Sequence, residues 1–348
     1  MIDMNDKRLS YMGRTDRRPD GAYFYYASSQ VTARFTGTRF SVTVCNKRAW
    51  GEISIGYIID GRMGRLPLPK ENDGRDTVYL IADCLEPDCE HIITVYKRMS
   101  ANHSYAIRSM DTDGEFLPYT PHYRMKLEFY GDSVSAGEVT EAEDFTGRPD
   151  PPNHGGIYDN SYHSYTWQCA RLLDAEFYNI SQGGISVSDG MGYFHMPDTI
   201  GMENVYDKLC YFPEGGEITE WDFSSYTPDA VIFALGQNDH HNAVTDTDDV
   251  DIYDSIVRRR WKDNYKKLVK DVAAHYGRVK IIMLTTVLMH DAEWDRAIDE
   301  IVSELCAEGA DACHFMFKHN GAVTPGHPRR SEHTEMAKEL AAFIEKIL

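Results

Sequence analysis

Residues 126–135 read Lys-Leu-Glu-Phe-Tyr-Gly-Asp-Ser-Val-Ser. A short apolar run, Leu127 to Tyr130, is closed by Gly131, and small polar residues follow at once. That pattern predicts a buried strand with a serine just past its end. The same rhythm recurs downstream. Phe177 to Ile180, Ala230 to Leu235, Val279 to Leu284 and Cys313 to Phe317 read as further strands. Between them the apolar period changes to that of a helix. It runs through Tyr162, Tyr165, Cys169 and Leu172 over 161–173, then through Val257, Trp261, Tyr265, Leu268 and Val272 to a stop at Gly277. Trp294, Ile298, Ile301 and Leu305 mark another helix, stopped at Gly309, and Ala337, Leu340, Ala341 and Ile344 a last one. Strands alternating with helices predict a parallel sheet covered on both faces.

Upstream the rhythm differs. Val31, Ala33 and Phe35 alternate with Thr32, Arg34 and Thr36; Phe40, Val42 and Val44 do the same after Gly37. Ile53, Ile55, Tyr57 and Ile59 keep the period of two as far as Asp60-Gly61, a tight-turn signal. Ile92 to Tyr96 is another such run. Short alternating strands without a long helical stretch predict an antiparallel β-sandwich. The turn-rich Pro118–Pro121 segment separates the halves. We therefore expect a sandwich domain over 1–120 and an α/β domain over 121–348, with long loops at Glu138 to Gly156 and Asp246 to Asp254.

Composition narrows the function. The chain has 348 residues, more than one ordinary domain holds, and Lys plus Arg (36) against Asp plus Glu (55) leaves a net charge of −19. Such a surface repels phosphate backbones and anionic bilayers, so no nucleic-acid or membrane partner is expected. No apolar run reaches the roughly 18–20 residues that span a bilayer. The opening MIDMNDKRLS has no apolar core segment of a leader. Seven cysteines are an odd number without zinc-type pairs. Reduced thiols in a cytoplasmic protein are the expectation, with a Cys84–Cys89 bridge as the lesser alternative.

Ligands of open α/β sheets bind beyond the carboxyl ends of the strands. Past the first strand stands Gly131-Asp132-Ser133; past the second, Ser181-Gln182-Gly183-Gly184; past the third, Gly236-Gln237-Asn238-Asp239; past the last, Pro325-Gly326-His327-Pro328. Each alone reads as a plain turn or loop. Together they place a serine, a glycine amide, an asparagine amide and a histidine on one rim, which is the inventory for acyl transfer: nucleophile, oxyanion donors and general base. The neighbouring His240 and His241 invite a metal, but adjacent histidines on one loop do not readily share an ion, so neither metal nor cofactor is expected. Asp132 is expected to organise the nucleophile turn by accepting from backbone amides, and Asp239 to cap its loop or shape the rim. Trp261 and Trp294 sit at core spacing. Tyr130, Tyr158, Tyr162 and Tyr193 lie nearer the rim.

These four blocks, in this order, resemble those of the SGNH (GDSL-type) hydrolases over residues 126–348. The β-rich half, with Gly13-Arg14-Thr15 and Arg34-Phe35-Thr36-Gly37-Thr38, looks like the N-terminal sandwich of carbohydrate esterase family 2. The resemblance implies a flavodoxin-like three-layer α/β/α domain behind a jelly-roll-like sandwich, and O-deacetylation of acetylated mannan- or xylan-type polysaccharides or oligosaccharides. It implies Ser133 as nucleophile, His327 as base, and an oxyanion hole from the Ser133 and Gly184 amides and the Asn238 side chain, with Gly183 as the alternative if the block is shifted by one. His333, six residues on, is the rival base. Many relatives carry Asp three residues before the histidine; here that place is Thr324. The expectation is therefore a Ser133–His327 dyad, its imidazole oriented by a main-chain carbonyl. A lipid or aryl esterase, and a carbohydrate-binding protein on an inactive scaffold, are the alternatives. Oligomeric state is left open.

Overall fold

The computed structural model describes residues 1–288, 291–318 and 324–348. Its first part holds two antiparallel sheets. One runs in the order Thr15–Arg18, Gly21–Phe24, His103–Thr112, Phe40–Arg48, Asp76–Ala82; the other runs Phe116–Leu117, Gln30–Thr36, Glu90–Tyr96, Ser54–Ile59, Arg62–Pro67. Their facing residues, among them Phe35, Val42, Val44, Ile55, Val95, Ile107 and Met110, form one buried apolar cluster. Asp60 and Gly61 both take positive φ, and Ile59 pairs with Arg62 across them. This two-residue turn needs left-handed backbone at both positions, which explains the Asp-Gly pair. The strand His103–Thr112 lies centrally in its sheet yet was not among the predicted ones. Its sequence, His-Ser-Tyr-Ala-Ile-Arg-Ser-Met-Asp-Thr, breaks the period of two with a bulge between Ile107 and Ser109.

The second part is an α/β layer structure. Five parallel strands run in the spatial order Ala175–Ser181, Met125–Gly131, Ala230–Ala234, Lys280–Leu284, Ala312–Phe315. The helices are α1 (Ser133–Ala136), α2 (Tyr165–Leu172), α3 (Ser255–Ala274), α4 (Ala292–Ala307) and α5 (Arg330–Ile347). The first strand in the chain sits second in space, so its carboxyl end borders the point where strand order reverses, where such sheets bind ligands. The predicted sandwich and parallel sheet are both present. The predicted helix over 161–173 divides into a tight turn at Ser161–His163 and α2.

The two parts share buried contacts. Met12, Tyr25, Tyr26, Tyr96 and Ala101 of the sandwich belong to the apolar core of the α/β layer. Arg14, fully buried, donates to the carbonyls of Tyr206 (2.6 Å) and Lys208 (2.9 Å), to Tyr130 Oη (2.9 Å) and to Glu128 (3.3 Å). Glu128 points from the Met125–Gly131 strand and also accepts from Tyr276 Oη at 2.6 Å. A buried carboxylate is tolerable only when so paired, which is why Glu128 can interrupt the apolar run in the opening stretch of sequence.

Candidate active site

Ser133 is the first residue of α1, directly past the Met125–Gly131 strand. Asp132 caps this helix: its Oδ1 accepts from the Val134 amide at 3.0 Å and from Gln237 Nε2 at 2.5 Å. Gln237 is itself held, its Oε1 accepting from the Val287 (2.9 Å) and Leu288 (2.7 Å) amides. Burial pushes the Asp132 carboxyl up to about 7, against the pull of these two donors. Gly137 ends α1 in left-handed backbone at φ 82°. The result is a short, tightly wound turn that presents the Ser133 hydroxyl at the sheet's edge.

His327 reaches that hydroxyl: its Nε2 lies 2.8 Å from Ser133 Oγ. Its Nδ1 lies 2.6 Å from Asp150 Oδ2, and Asp150 also takes the His327 amide at 3.2 Å. The expected carboxylate-free dyad is thereby corrected. The acid comes from the Glu138–Gly156 loop, not from the residue three places before the histidine. Thr324, which occupies that place, instead donates to Glu332 Oε2 (2.9 Å) and accepts from the Gly147 amide (2.9 Å). Arg329 joins the two segments: buried, it donates to Asp150 Oδ1 (2.7 Å) and to the His327 carbonyl (2.6 Å). Burial alone would lower the His327 pKa, but the Asp150 bond and the nearby carboxylates of Glu138 and Asp159 raise it. Asp150 feels the converse: burial acts to raise it, and the His327 and Arg329 donors hold it far below the usual carboxylate range.

The rival His333 is elsewhere. It is buried in α5, its Nδ1 accepts the Tyr165 amide at 3.0 Å, and burial lowers it to about 3. The contact to Ser133 Oγ is made by His327, not by this buried histidine.

The segments expected to supply the oxyanion donors follow the two strands that flank Met125–Gly131. Asn238 Nδ2 donates to the Ile185 carbonyl at 2.9 Å, which ties this side chain to the segment following Gly184 and leaves its second N–H available. Gly184 has φ +73°, a conformation suited to glycine. Gly183 packs so closely on the Glu138 carboxylate that a Cβ there would collide with it. Gly183 and Gly184 both line a cleft of 370 Å³ whose other walls include Ala49, Trp50, Ala101, Tyr193 and Glu214. The sandwich thus supplies one side of the cleft. Trp50 is 52% exposed there.

Of the rim tyrosines, Tyr193 lies on the cleft, its ring stacked on His241 at 4.0 Å. Tyr130 does not; it is fully buried against Arg14. Asp239 accepts from the Val187 amide and from Trp261 Nε1, both at 3.0 Å, and so braces the Asn238 loop from below. His240 Nδ1 meets the Gln237 carbonyl at 2.9 Å, and His241 Nδ1 meets Asp248 at 2.7 Å. Among the described residues no three His, Cys, Asp or Glu side chains group as a metal site. No described helix is long and apolar enough to cross a membrane. Cys84 and Cys89 are unpaired.

Sequence reasoning missed Asp150 and Arg329. Asp150 stands 177 residues from its partner in a loop with several other carboxylates, so no spacing singles it out. Arg329 had one signal: it lies two residues past the histidine.

A serine on a strand-end turn, a histidine from the last loop and the Gly184 and Asn238 segments past the second and third strands resemble the arrangement of SGNH-type hydrolases. Within that class the chain resembles the family 2 carbohydrate esterases. The family description "Carbohydrate esterase 2 N-terminal" matches residues 11–121. A cellulase/esterase, CelE, of Acetivibrio thermocellus is 27% identical over 99% of this chain, although the chain spans only 40% of that relative's length. An acetylxylan esterase / glucomannan deacetylase of Cellvibrio japonicus is 23% identical over the whole chain and 91% of its own length. A solved family two carbohydrate esterase from Clostridium thermocellum, in complex with cellohexaose, superposes with a TM-score of 0.80 at 24% identity. That match covers 97% of this chain and 98% of the other, and it concerns the fold.

Proposed function

We propose that the chain is an acetyl esterase that removes O-acetyl groups from acetylated mannan- or xylan-type polysaccharides or oligosaccharides through a Ser133 acyl-enzyme. The observation that carries this reading is the chain of contacts from Ser133 Oγ to His327 Nε2 (2.8 Å) and from His327 Nδ1 to Asp150 (2.6 Å). In the first step His327 takes the Ser133 proton as Oγ attacks the acetyl carbonyl. Asp150 stabilises the imidazolium. The Ser133 and Gly184 amides and the Asn238 side chain receive the developing oxyanion. The tetrahedral species then collapses: the C–O bond to the sugar breaks, and His327 returns the proton to the departing hydroxyl. Water, deprotonated by His327, attacks the acetyl-serine and releases acetate.

The substrate class is supported by the cleft and by the relatives' names. The cleft beside Gly183 and Gly184 carries the exposed Trp50 on its sandwich wall, a face suited to the apolar C–H side of a pyranose. A cytoplasmic site of action on imported oligosaccharides belongs to this proposal; the unpaired thiols suit a reducing compartment, and cell fractionation tests it.

Wild type and Ser133→Ala, mixed with acetylated xylan and mannan oligosaccharides at neutral pH and assayed for acetate, test the function. Release by wild type alone supports it, and the preferred glycan names the substrate. Turnover of p-nitrophenyl acetate without glycan turnover keeps the esterase and discards the substrate. No turnover of either, with sugar binding retained, favours a binding protein.

A further inference from the structure

The turn Lys97–Asn102 joins two sandwich strands, Glu90–Tyr96 and His103–Thr112. It is held from inside by Lys97, whose fully buried Nζ donates to the carbonyls of Met99 (2.7 Å) and Ser100 (2.5 Å). Of the bonds that cross from this turn to the catalytic layer, two reach the segments beside Ser133 and Gly183. The Ala101 amide donates to Gln182 Oε1 at 2.9 Å, and Ser100 Oγ donates to Glu138 Oε1 at 2.9 Å. Gln182 directly precedes the oxyanion glycines. Its Oε1 also accepts from Tyr211 Oη (2.6 Å), its Nε2 donates to the Gly183 carbonyl (2.9 Å), and its amide donates to the Gly131 carbonyl (3.1 Å). Glu138 forms the opposite jaw: its amide donates to the Ser133 carbonyl at 3.0 Å, and Gly183 packs against its carboxylate. The sandwich therefore grips both the nucleophile turn and the oxyanion segment through one turn of chain. A second grip acts on the loop of Asp150, where the Glu52 amide donates to the Gly155 carbonyl (2.8 Å) and Arg65 donates to the Ile157 carbonyl (3.1 Å).

We infer that the sandwich is a working part of the hydrolytic apparatus, and that Gln182 is a positioning residue through which the Ala101 main chain fixes the Gly183–Gly184 amides relative to Ser133. The inference rests on the esterase reading above. Its physical basis is that oxyanion donors act only where the developing charge appears, so a small misplacement is costly while ground-state binding changes little.

The test uses the full chain with Gln182→Leu, Gln182→Glu and Tyr211→Phe. The readouts are kcat and KM on p-nitrophenyl acetate, the rate at which a fluorophosphonate labels Ser133, and thermal midpoint. Gln182→Leu is expected to lower kcat about tenfold to a hundredfold with KM within about twofold, and to slow labelling by the same factor. Gln182→Glu keeps an oxygen for Ala101 and Tyr211 but loses the donor to the Gly183 carbonyl, and is expected to recover part of both. Tyr211→Phe, which removes one of two donors to Oε1, is expected to slow labelling by about threefold to tenfold and remains decisive if Gln182→Leu does not fold. Labelling within twofold of wild type in the folded variants, or equal damage by Gln182→Leu and Gln182→Glu, overturns the inference. A wild type that neither hydrolyses esters nor takes the label fails the esterase reading instead.

Discussion

Asp150 Oδ2 sits 2.6 Å from His327 Nδ1, and Arg329 holds the other carboxylate oxygen at 2.7 Å. The carboxylate can therefore fix the imidazole tautomer and stabilise the imidazolium at once. Asp150→Asn is expected to lower kcat/KM by about 10³–10⁴ while leaving the fold intact. The pH dependence follows from the raised His327 pKa. The base must be neutral to accept the serine proton, so activity is lost as pH falls through that raised value, and the acid limb of kcat/KM lies above the ordinary histidine value of about 6.5. In Asp150→Asn the limb moves to lower pH. A rate profile with an unmoved limb would contradict the assignment of Asp150.

The oxyanion residues predict a graded series. Asn238 donates one N–H to Ile185 and has a second to offer. Asn238→Ala should cost about 10²–10³ in kcat, with less effect on KM. Ser133→Ala should abolish acyl-enzyme formation altogether, visible by intact mass after exposure to an activated acetyl ester. Equal residual rates in the two variants would remove Ser133 from its role.

Arg14 predicts a stability effect remote from the cleft. The guanidinium is fully buried and Glu128 depends on it. Arg14→Met should destabilise by about 3–5 kcal/mol, because a buried carboxylate loses its cation. The double variant with Glu128→Gln should recover part of that loss in urea titrations. A strictly additive double variant would show that the two side chains do not act as a pair.

His333 predicts part of the acid sensitivity. Its folded pKa of about 3 lies below the unfolded value of 6.5, so the unfolded chain binds the extra proton between these limits. Stability from this group is fully present above pH 6.5 and is lost as pH falls toward 3, at up to about 1.4 kcal/mol per pH unit. In His333→Asn, which keeps an acceptor for the Tyr165 amide, the dependence of unfolding free energy on pH between 6 and 4 should be shallower by that one proton. An unchanged slope would place the titration elsewhere.

Local pattern carried much of this. The alternation Val31, Ala33, Phe35 and the helical period through Trp261, Tyr265 and Leu268 depend only on neighbours in sequence, and each places its residues in a core. Tyr130 shows where such reading stops. Its position one residue before the strand-end glycine looked like rim, but the strand's side chains alternate, and this one turns toward Arg14 from the other half of the chain.

The two-part architecture and the order of the four strand-end blocks are written in the sequence, because hydrophobic period and chain order are local properties. It also set the net charge of −19. Folding in three dimensions sets which carboxylate meets His327, which of two histidines contacts Ser133, and how the sandwich reaches the Gly183–Gly184 segment. Each of those depends on side chains brought together by loop closure across long stretches of chain, 177 residues in the case of Asp150 and His327. Such closures leave no period in the sequence, since any carboxylate within a flexible loop could make them, and packing alone selects the one that does.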